Sequence, residues 1–300
     1  MSITLRPDDP ATADDPLIGH SLLGRYRVRR FLGAGTMARV YLAHQVSVGR
    51  EVAVKVLRSE LTQDSDAAMR FRREIEAVAR LRSPHTIEFF DCGETPSGYH
   101  FIVMEYLQGE TLRARLDARG ALPPGLAISI VAQVASALGE AHAAGIVHRD
   151  LKPENIHFTD HPSPLSPFVK VLDFGLVQLA DARHGSGRAT GKHTTVGTPA
   201  YLAPEAATVG QAIDWRCDLY ALGVITFQML TGILPFSGRT PIEAMIAHVR
   251  DPIPSAAAMR PELGPAIDGF FAQVLAKDPQ QRISNAALLA QSLSEALTAR

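Results

Sequence analysis

From Tyr26 the chain alternates with period two, Tyr26 and Val28 interleaving with Arg25, Arg27 and Arg29. Such alternation predicts a strand with one solvated face. The stretch FLGAG then turns the chain, and two apolar, β-branched runs follow at 40–43 and 52–57 (VAVKVL). Glycine-containing loops separate these runs, as an antiparallel meander requires. A helix is expected over 64–82, with Asp64, Ser65 and Asp66 available as caps. Phe71, Ile75, Val78 and Leu81 follow helical spacing and put Glu74 at the edge of the inward stripe. Strands at 87–91 and 100–106 complete a small sheet.

After Gln108 and Gly109 helical periodicity takes over, at 111–119, 126–144, 214–231, 242–249, 267–275 and 284–297. Between the second and third of these lies a polar, turn-rich stretch, 146–205, and long irregular segments inside a domain are usually functional. The pattern describes an α+β, bilobal chain. A flexible leader (1–20) precedes a small antiparallel β lobe with one main helix (21–107) and a larger, mostly helical lobe (108–300), with a cleft between the lobes. The uncharged run 219–236 reaches the lower length bound of a membrane helix. Gln228, Gly232 and Pro235 interrupt it, and Asp214, Arg216 and Asp218 abut its start, so it reads as a buried core helix.

With 46% hydrophobic and 20% charged residues the chain can bury a sizeable core. Thirty Lys and Arg against 31 Asp and Glu leave a formal charge of −1, which argues against nucleic acid or an anionic membrane as partner. Cys92 and Cys217 stand outside any CxxC spacing, which excludes a disulfide scaffold and a structural zinc site and fits a reducing cytoplasm. The first 16 residues carry four Asp and three Pro and no apolar stretch, so they do not read as a signal peptide.

Four short segments carry candidate chemistry. Gly33-Ala34-Gly35-Thr36-Met37-Ala38-Arg39-Val40 joins two strands, and its glycines suit either close backbone approach to phosphate or an ordinary hairpin. Lys55 sits within an apolar strand and either snorkels to solvent or pairs with Glu74. His148 to Asn155 reads HRDLKPEN, and Asp173-Phe174-Gly175 follows the run VKVL. Asp150, Asn155 and Asp173 are short-armed oxygen donors suited to Mg²⁺, though Asp and Asn are also common turn formers.

The ordered set GAGTMARV, VAVK, HRDLKPEN, DFG and APE resembles the eukaryotic-type (Hanks-type) protein kinase fold over about residues 24–297. The wording GRYRVRRFLGAGTMARVYLAH and the Ala- and Arg-rich composition resemble a bacterial Ser/Thr kinase. The resemblance implies transfer of the γ-phosphate of ATP to Ser or Thr of protein substrates, with Mg²⁺, or Mn²⁺ in its place. Leu32, Gly33, Ala34, Gly35, Val40, Ala53, Met104 (as gatekeeper), Glu105, Leu107 and His157 would line the nucleotide. Lys55 would hold the α- and β-phosphates and pair with Glu74. Asp150 would accept the hydroxyl proton, Lys152 would sit beside the γ-phosphate, and Asn155 and Asp173 would bind metal. Glu205 would pair with Arg282, Asp218 would anchor the catalytic loop, and Thr198 would partner Asp150 and Lys152. Arg149 would await an activating phosphate, with Thr194 and Thr195 as autophosphorylation candidates. Leu176, after the DFG, favours serine acceptors. A kinase-domain dimer and a cytoplasmic place, either by itself or as the cytosolic part of a longer membrane-tethered protein, are also compatible with the resemblance.

Three departures stand out. Ala38 replaces a third loop glycine and would cost roughly 1–2 kcal/mol if φ there were positive. His157 stands where the family places an aliphatic side chain beneath the adenine; either it forms that floor and can protonate near an ordinary pKa of about 6.5, or Phe158 or Ile156 fills the position. The stretch 161–167 (HPSPLSP) lengthens the loop before the DFG strand. Two other function classes stay open: a pseudokinase switch, which the full set Lys55, Glu74, Asp150, Asn155 and Asp173 opposes, and a small-molecule phosphotransferase, which the APE element, Thr198 and Asp218 oppose.

Overall fold

A computed structural model describes residue 15 and residues 17–35, 38–57, 75–95, 98–159, 167–174, 199–208 and 210–299. The N-terminal lobe is a six-stranded, fully antiparallel sheet of β1 (Ser21–Leu22), β2 (Tyr26–Ala34), β3 (Ala38–Gln45), β4 (Arg50–Leu57), β5 (Phe89–Glu94) and β6 (His100–Glu105), in the order β1-β2-β3-β4-β6-β5. Period two gives the sheet two faces. Val52, Val54 and Val56 join Tyr41, Phe101 and Val103 in an outer cluster, while Ala53 and Lys55 turn toward the other lobe. Leu17 and Ile18 pack on the outer cluster, and Gly19 and His20 exchange backbone bonds with Val28. Residues 17–20, the end of the expected leader, thus lie against the sheet. Of the helix expected over 64–82, residues 75–78 are helical, and 64–74, Glu74 included, lie outside the described residues.

The strand expected at 87–91 begins instead at Phe89. Residues 85–87 are drawn to the other lobe: the Ile87 N–H donates to Val171 O (3.1 Å) and the Val171 N–H to His85 O (2.7 Å). The C-terminal lobe contains α1 (Leu112–Arg119), α2 (Pro124–Ala143), the hairpin β7 (Ile156–Thr159) and β8 (Phe168–Val171), then α3 (Arg216–Thr231), α4 (Pro241–Arg250), α5 (Ala256–Met259), α6 (Ala266–Val274) and α7 (Ala286–Thr298). Thr111 caps α1 by accepting from the Ala114 N–H, and Asn285 caps α7 through the Leu288 N–H.

The uncharged run within 219–236 forms most of α3, whose residues from Cys217 to Leu230 are all buried, so it is a core helix. By length and composition one described helix, α2, could cross a membrane; its buried face packs into the core of the helical lobe. The chain enters this lobe through Gly109, at φ 126°, where a Cβ would lie 2.1 Å from Phe158 O. Only glycine allows so close a crossing.

Candidate active site

The cleft face of the sheet begins from register. Val40 pairs with Lys55 and Leu42 with Ala53 across β3 and β4, and Ala53 pairs with Met104 across β4 and β6. These pairs put Leu32, Val40, Ala53 and Met104 into one apolar cluster, with Leu107 at its margin. The same cluster holds Leu42, Ile87, Tyr106 and Leu172, none of which the sequence reading singled out. Leu42 shares the face of Val40 by simple alternation, and Leu172 adjoins Asp173, so both carried a signal. Ile87 carried none, because its place depends on pairing with the far lobe.

Above the cluster, Gly33 pairs with Val40 and Ala34 with Arg39, and the Gly35 N–H donates to Ala38 O (2.9 Å). Thr36 and Met37, at the loop's tip, lie outside the described residues. Ala38 is a fully buried strand residue packed with Leu57, Ile75 and Ile102. Among the described non-glycine residues only Leu23, Arg149 and Asp173 have positive φ, so the strain considered for Ala38 does not arise. Glu105 ends β6, where its carboxylate accepts the Glu88 N–H (2.7 Å) and the Lys170 ammonium (2.5 Å).

His157 has the opposite orientation to its strand neighbours. Ile156 and Phe158 belong to the core of the helical lobe, whereas His157 pairs with Lys170 on the other side of the hairpin. Of the three candidates for the adenine floor, two are thereby committed elsewhere.

The catalytic loop is held by one carboxylate. Asp218, 1% exposed, accepts the backbone N–H of His148 (2.9 Å) and of Arg149 (2.8 Å), and bonds the His142 ring (2.8 Å). Burial pushes its pKa up, but the hydrogen bond from His142 and the neighbouring His148 outweigh burial and hold it below the ordinary carboxylate value. Arg149 takes φ 63° in this grip. Beyond it, the Asp150 carboxylate pairs with the Lys152 ammonium at 2.6 Å. Asn155 is 1% exposed; its side-chain amide donates to Asp150 O (2.8 Å), and its backbone carbonyl accepts the Leu172 N–H (2.8 Å). One residue, through its side chain on one side and its backbone on the other, thus ties the catalytic loop to the segment that presents Asp173.

Across the cleft the Lys55 ammonium lies 2.7 Å from Asp173 Oδ1. Burial alone would raise the Asp173 pKa; the Lys55 charge and hydrogen bond outweigh it and keep the carboxylate ionised. Glu74, expected as the partner of Lys55, lies outside the described residues, as do Leu176, Thr194, Thr195, Thr198 and the insertion residues 161–166. Glu205 and Arg282 form a buried two-bond ion pair (2.7 and 2.6 Å). The Arg149 Nε is buried and finds no acceptor among the described residues.

Among the described residues no three His, Cys, Asp or Glu side chains converge as a metal cage. A Mg²⁺ ion that takes one or two protein oxygens and completes its shell with phosphate and water needs none. Asp173, ionised and with the Lys55 ammonium beside it, and Asn155 are residues that could offer such oxygens.

A family model described as "Protein kinase domain" matches residues 26–294. The chain is 39% identical over 275 residues to the serine/threonine-protein kinase pkn3 of Myxococcus xanthus, covering 91% of this chain and 50% of that protein. It is 40% identical over 271 residues to the serine/threonine-protein kinase PknB of Mycobacterium tuberculosis, covering 89% and 42%. The chain spans half or less of the length of these curated relatives. The solved kinase domain of Mycobacterium tuberculosis PknI superposes with a TM-score of 0.71 at 31% identity, over 93% of this chain and 98% of that one.

Proposed function

The chain belongs to the protein kinase domain family, among the bacterial serine/threonine kinases, and we propose that it transfers the γ-phosphate of ATP to Ser or Thr hydroxyls of proteins. The observation that carries this reading is the 2.7 Å approach of Lys55 from one lobe to Asp173 from the other. An ammonium and an ionised carboxylate at one point suit a metal-bound polyphosphate. The apolar cluster of Leu32, Val40, Ala53, Met104 and Leu172 takes the adenine, with Glu105 and Leu107 offering backbone groups at its edge and His157 below. Gly33, Ala34 and Gly35 cover the phosphates.

A divalent ion, Mg²⁺ or Mn²⁺, would be held by Asp173 and Asn155 and would supply charge neutralisation at the phosphates. The chain's own residues do the rest. Lys55 orients the α- and β-phosphates, and Glu74 steadies it. Asp173 and Asn155 offer the metal's protein oxygens. Asp150 orients the acceptor hydroxyl and takes its proton, while Lys152 balances charge beside the transferred group. Thr198 partners Asp150 and Lys152, and Leu176 biases the choice toward serine. The transition state is loose, so alignment and electrostatics dominate over covalent catalysis.

Arg149 holds a buried guanidinium edge beside the catalytic aspartate. A phosphate on Thr194 or Thr195 would add roughly −1.5 to −2 charge for it to pair with. We assign these threonines to autophosphorylation between two copies of the domain, and the protein to the cytoplasm as the catalytic part of a longer membrane-tethered chain.

The test is radiolabel transfer from ATP to a generic protein acceptor, with phosphopeptide mapping. Wild type labels the acceptor and itself at Thr194 or Thr195, and Asp150→Asn labels neither. A wild type that binds ATP but never transfers phosphate would make the protein a nucleotide-binding switch instead, and an active enzyme with both threonines empty would remove the autophosphorylation assignment.

A further inference from the structure

Asp15 lies upstream of residue 26, where the family match begins, yet its side chain is only 4% exposed. It sits on the outer face of the sheet, away from the cleft. One carboxylate oxygen, Oδ2, accepts the Tyr41 hydroxyl (2.8 Å) and Arg39 Nη1 (3.1 Å); the other accepts the Leu17 N–H (3.1 Å). Tyr41 is fully buried, its ring edge-on to Phe31 at 5.8 Å. Register makes these partners significant. Phe31 pairs with Tyr41, Gly33 with Val40 and Ala34 with Arg39, so the carboxylate grips β3 at the base of the glycine-containing loop. Its two partners flank Val40, which points to the opposite, nucleotide-facing side.

We infer that Asp15 is a positioning residue for ATP, bracing the base of the phosphate-covering loop through Arg39 and Tyr41. The inference rests on the proposed ATP-binding role of that loop. A loop must present its backbone N–H groups together, and any freedom at its base is lost on binding and subtracts from affinity. Charge-assisted hydrogen bonds on the reverse side of the same strand remove that freedom beforehand. Burial, with the hydrogen bond to Asp15, pushes the Tyr41 hydroxyl up to about 12, so it stays a donor at any working pH.

The experiment compares wild type, Asp15→Asn, Tyr41→Phe, the double variant and Asp15→Glu. It reads KM for ATP, KM for the protein acceptor, kcat, and hydrogen exchange of the amides at 33–35 without nucleotide. Asp15→Asn is expected to raise KM for ATP about three- to tenfold, the net size of one ordinary hydrogen bond and so part of what a charge-assisted one contributes, with kcat and acceptor KM within about twofold. Loop exchange accelerates by a similar factor, the double variant is no worse than Asp15→Asn, and Asp15→Glu recovers part of the loss. Should Asp15→Asn not fold, Tyr41→Phe carries the same expectation. Unchanged loop exchange and unchanged KM for ATP, even alongside a lower Tm, would overturn the brace. A wild type unable to bind ATP would overturn the proposed function instead, and the exchange measurement would still judge Asp15.

Discussion

Two residues at the chemical centre, Arg149 and Asp173, hold left-handed backbone at φ 63° and 62°. Each such conformation costs roughly 1–2 kcal/mol. For Arg149 the offset is visible: Asp218 accepts its N–H and that of His148, and a hydrogen bond to a charged group contributes about 1.5–3 kcal/mol. Asp218→Asn turns one acceptor into a donor facing an N–H and leaves the His142 ring facing an amide. We expect stability to fall by about 3–5 kcal/mol, the cost of breaking a buried charged network, measured by denaturant titration, and kcat to fall by more than KM rises. Because the folded-state pKa of Asp218 is depressed, its contribution is complete above the ordinary carboxylate value and disappears only as pH falls through the depressed one. His157 gives a second expectation at this scale. His157→Leu should lower KM for ATP at both pH 6 and pH 8, since an aliphatic side chain packs against a flat base more closely than a polar imidazole does. Identical KM values for both proteins at both pH values would refute it. The residues themselves were legible from motif order. Their supports were less so: nothing in the letters HRDLKPEN shows that Asn155 spans two backbone segments.

Among the elements, helices were the most readable, because apolar periodicity survives whatever the helix packs against. α3 and α6 lie within two residues of their expected limits. α5 has four residues and no period to read, and β5 starts late because Ile87 is bonded across the cleft. The function of a buried polar residue on a helix was also hidden. His248 of α4 is fully buried; its ring meets the Tyr220 hydroxyl (2.9 Å) and Ala200 O (3.1 Å), joining α4 and α3 to the segment that precedes Ala203-Pro204-Glu205. Lys277 donates to the His248 carbonyl (2.6 Å), and the Phe236 ring packs 5.0 Å from the imidazole. Burial pulls the His248 pKa down to about 4. The unfolded chain therefore binds a proton that the folded one refuses between about pH 6.5 and 4, so stability falls as pH drops through that window. At about 1.4 kcal/mol per pH unit the loss is on the order of 3 kcal/mol. Comparing Tm from pH 7 to 4.5 in wild type and His248→Gln checks this: the wild-type curve should fall more steeply, and parallel curves would contradict it.

At the scale of the whole molecule, the lobes are joined away from the catalytic groups as well as at them. Lys170 of β8 reaches Glu105 at the end of β6, and residues 85–87 run beside β8. Lys170→Met, which leaves the Glu105 carboxylate the Glu88 N–H as its hydrogen-bond partner among the described residues, should lower Tm by a few degrees and raise KM for ATP without changing acceptor KM; unaltered values would show the hinge indifferent to this pair. The bilobal order was legible because a β-rich half precedes a helical half. That Lys55 and Asp173 meet was not, since 118 residues separate them and no local pattern spans such a distance. Their meeting is also the point on which the functional account depends. Calorimetric titration of ATP with and without Mg²⁺, on wild type, Lys55→Met and Asp173→Asn, tests it most directly. The account predicts that Mg²⁺ tightens ATP binding to wild type and that Asp173→Asn abolishes this gain, with Lys55→Met weakening binding in both conditions. ATP affinity that ignores Mg²⁺ and both substitutions would contradict it.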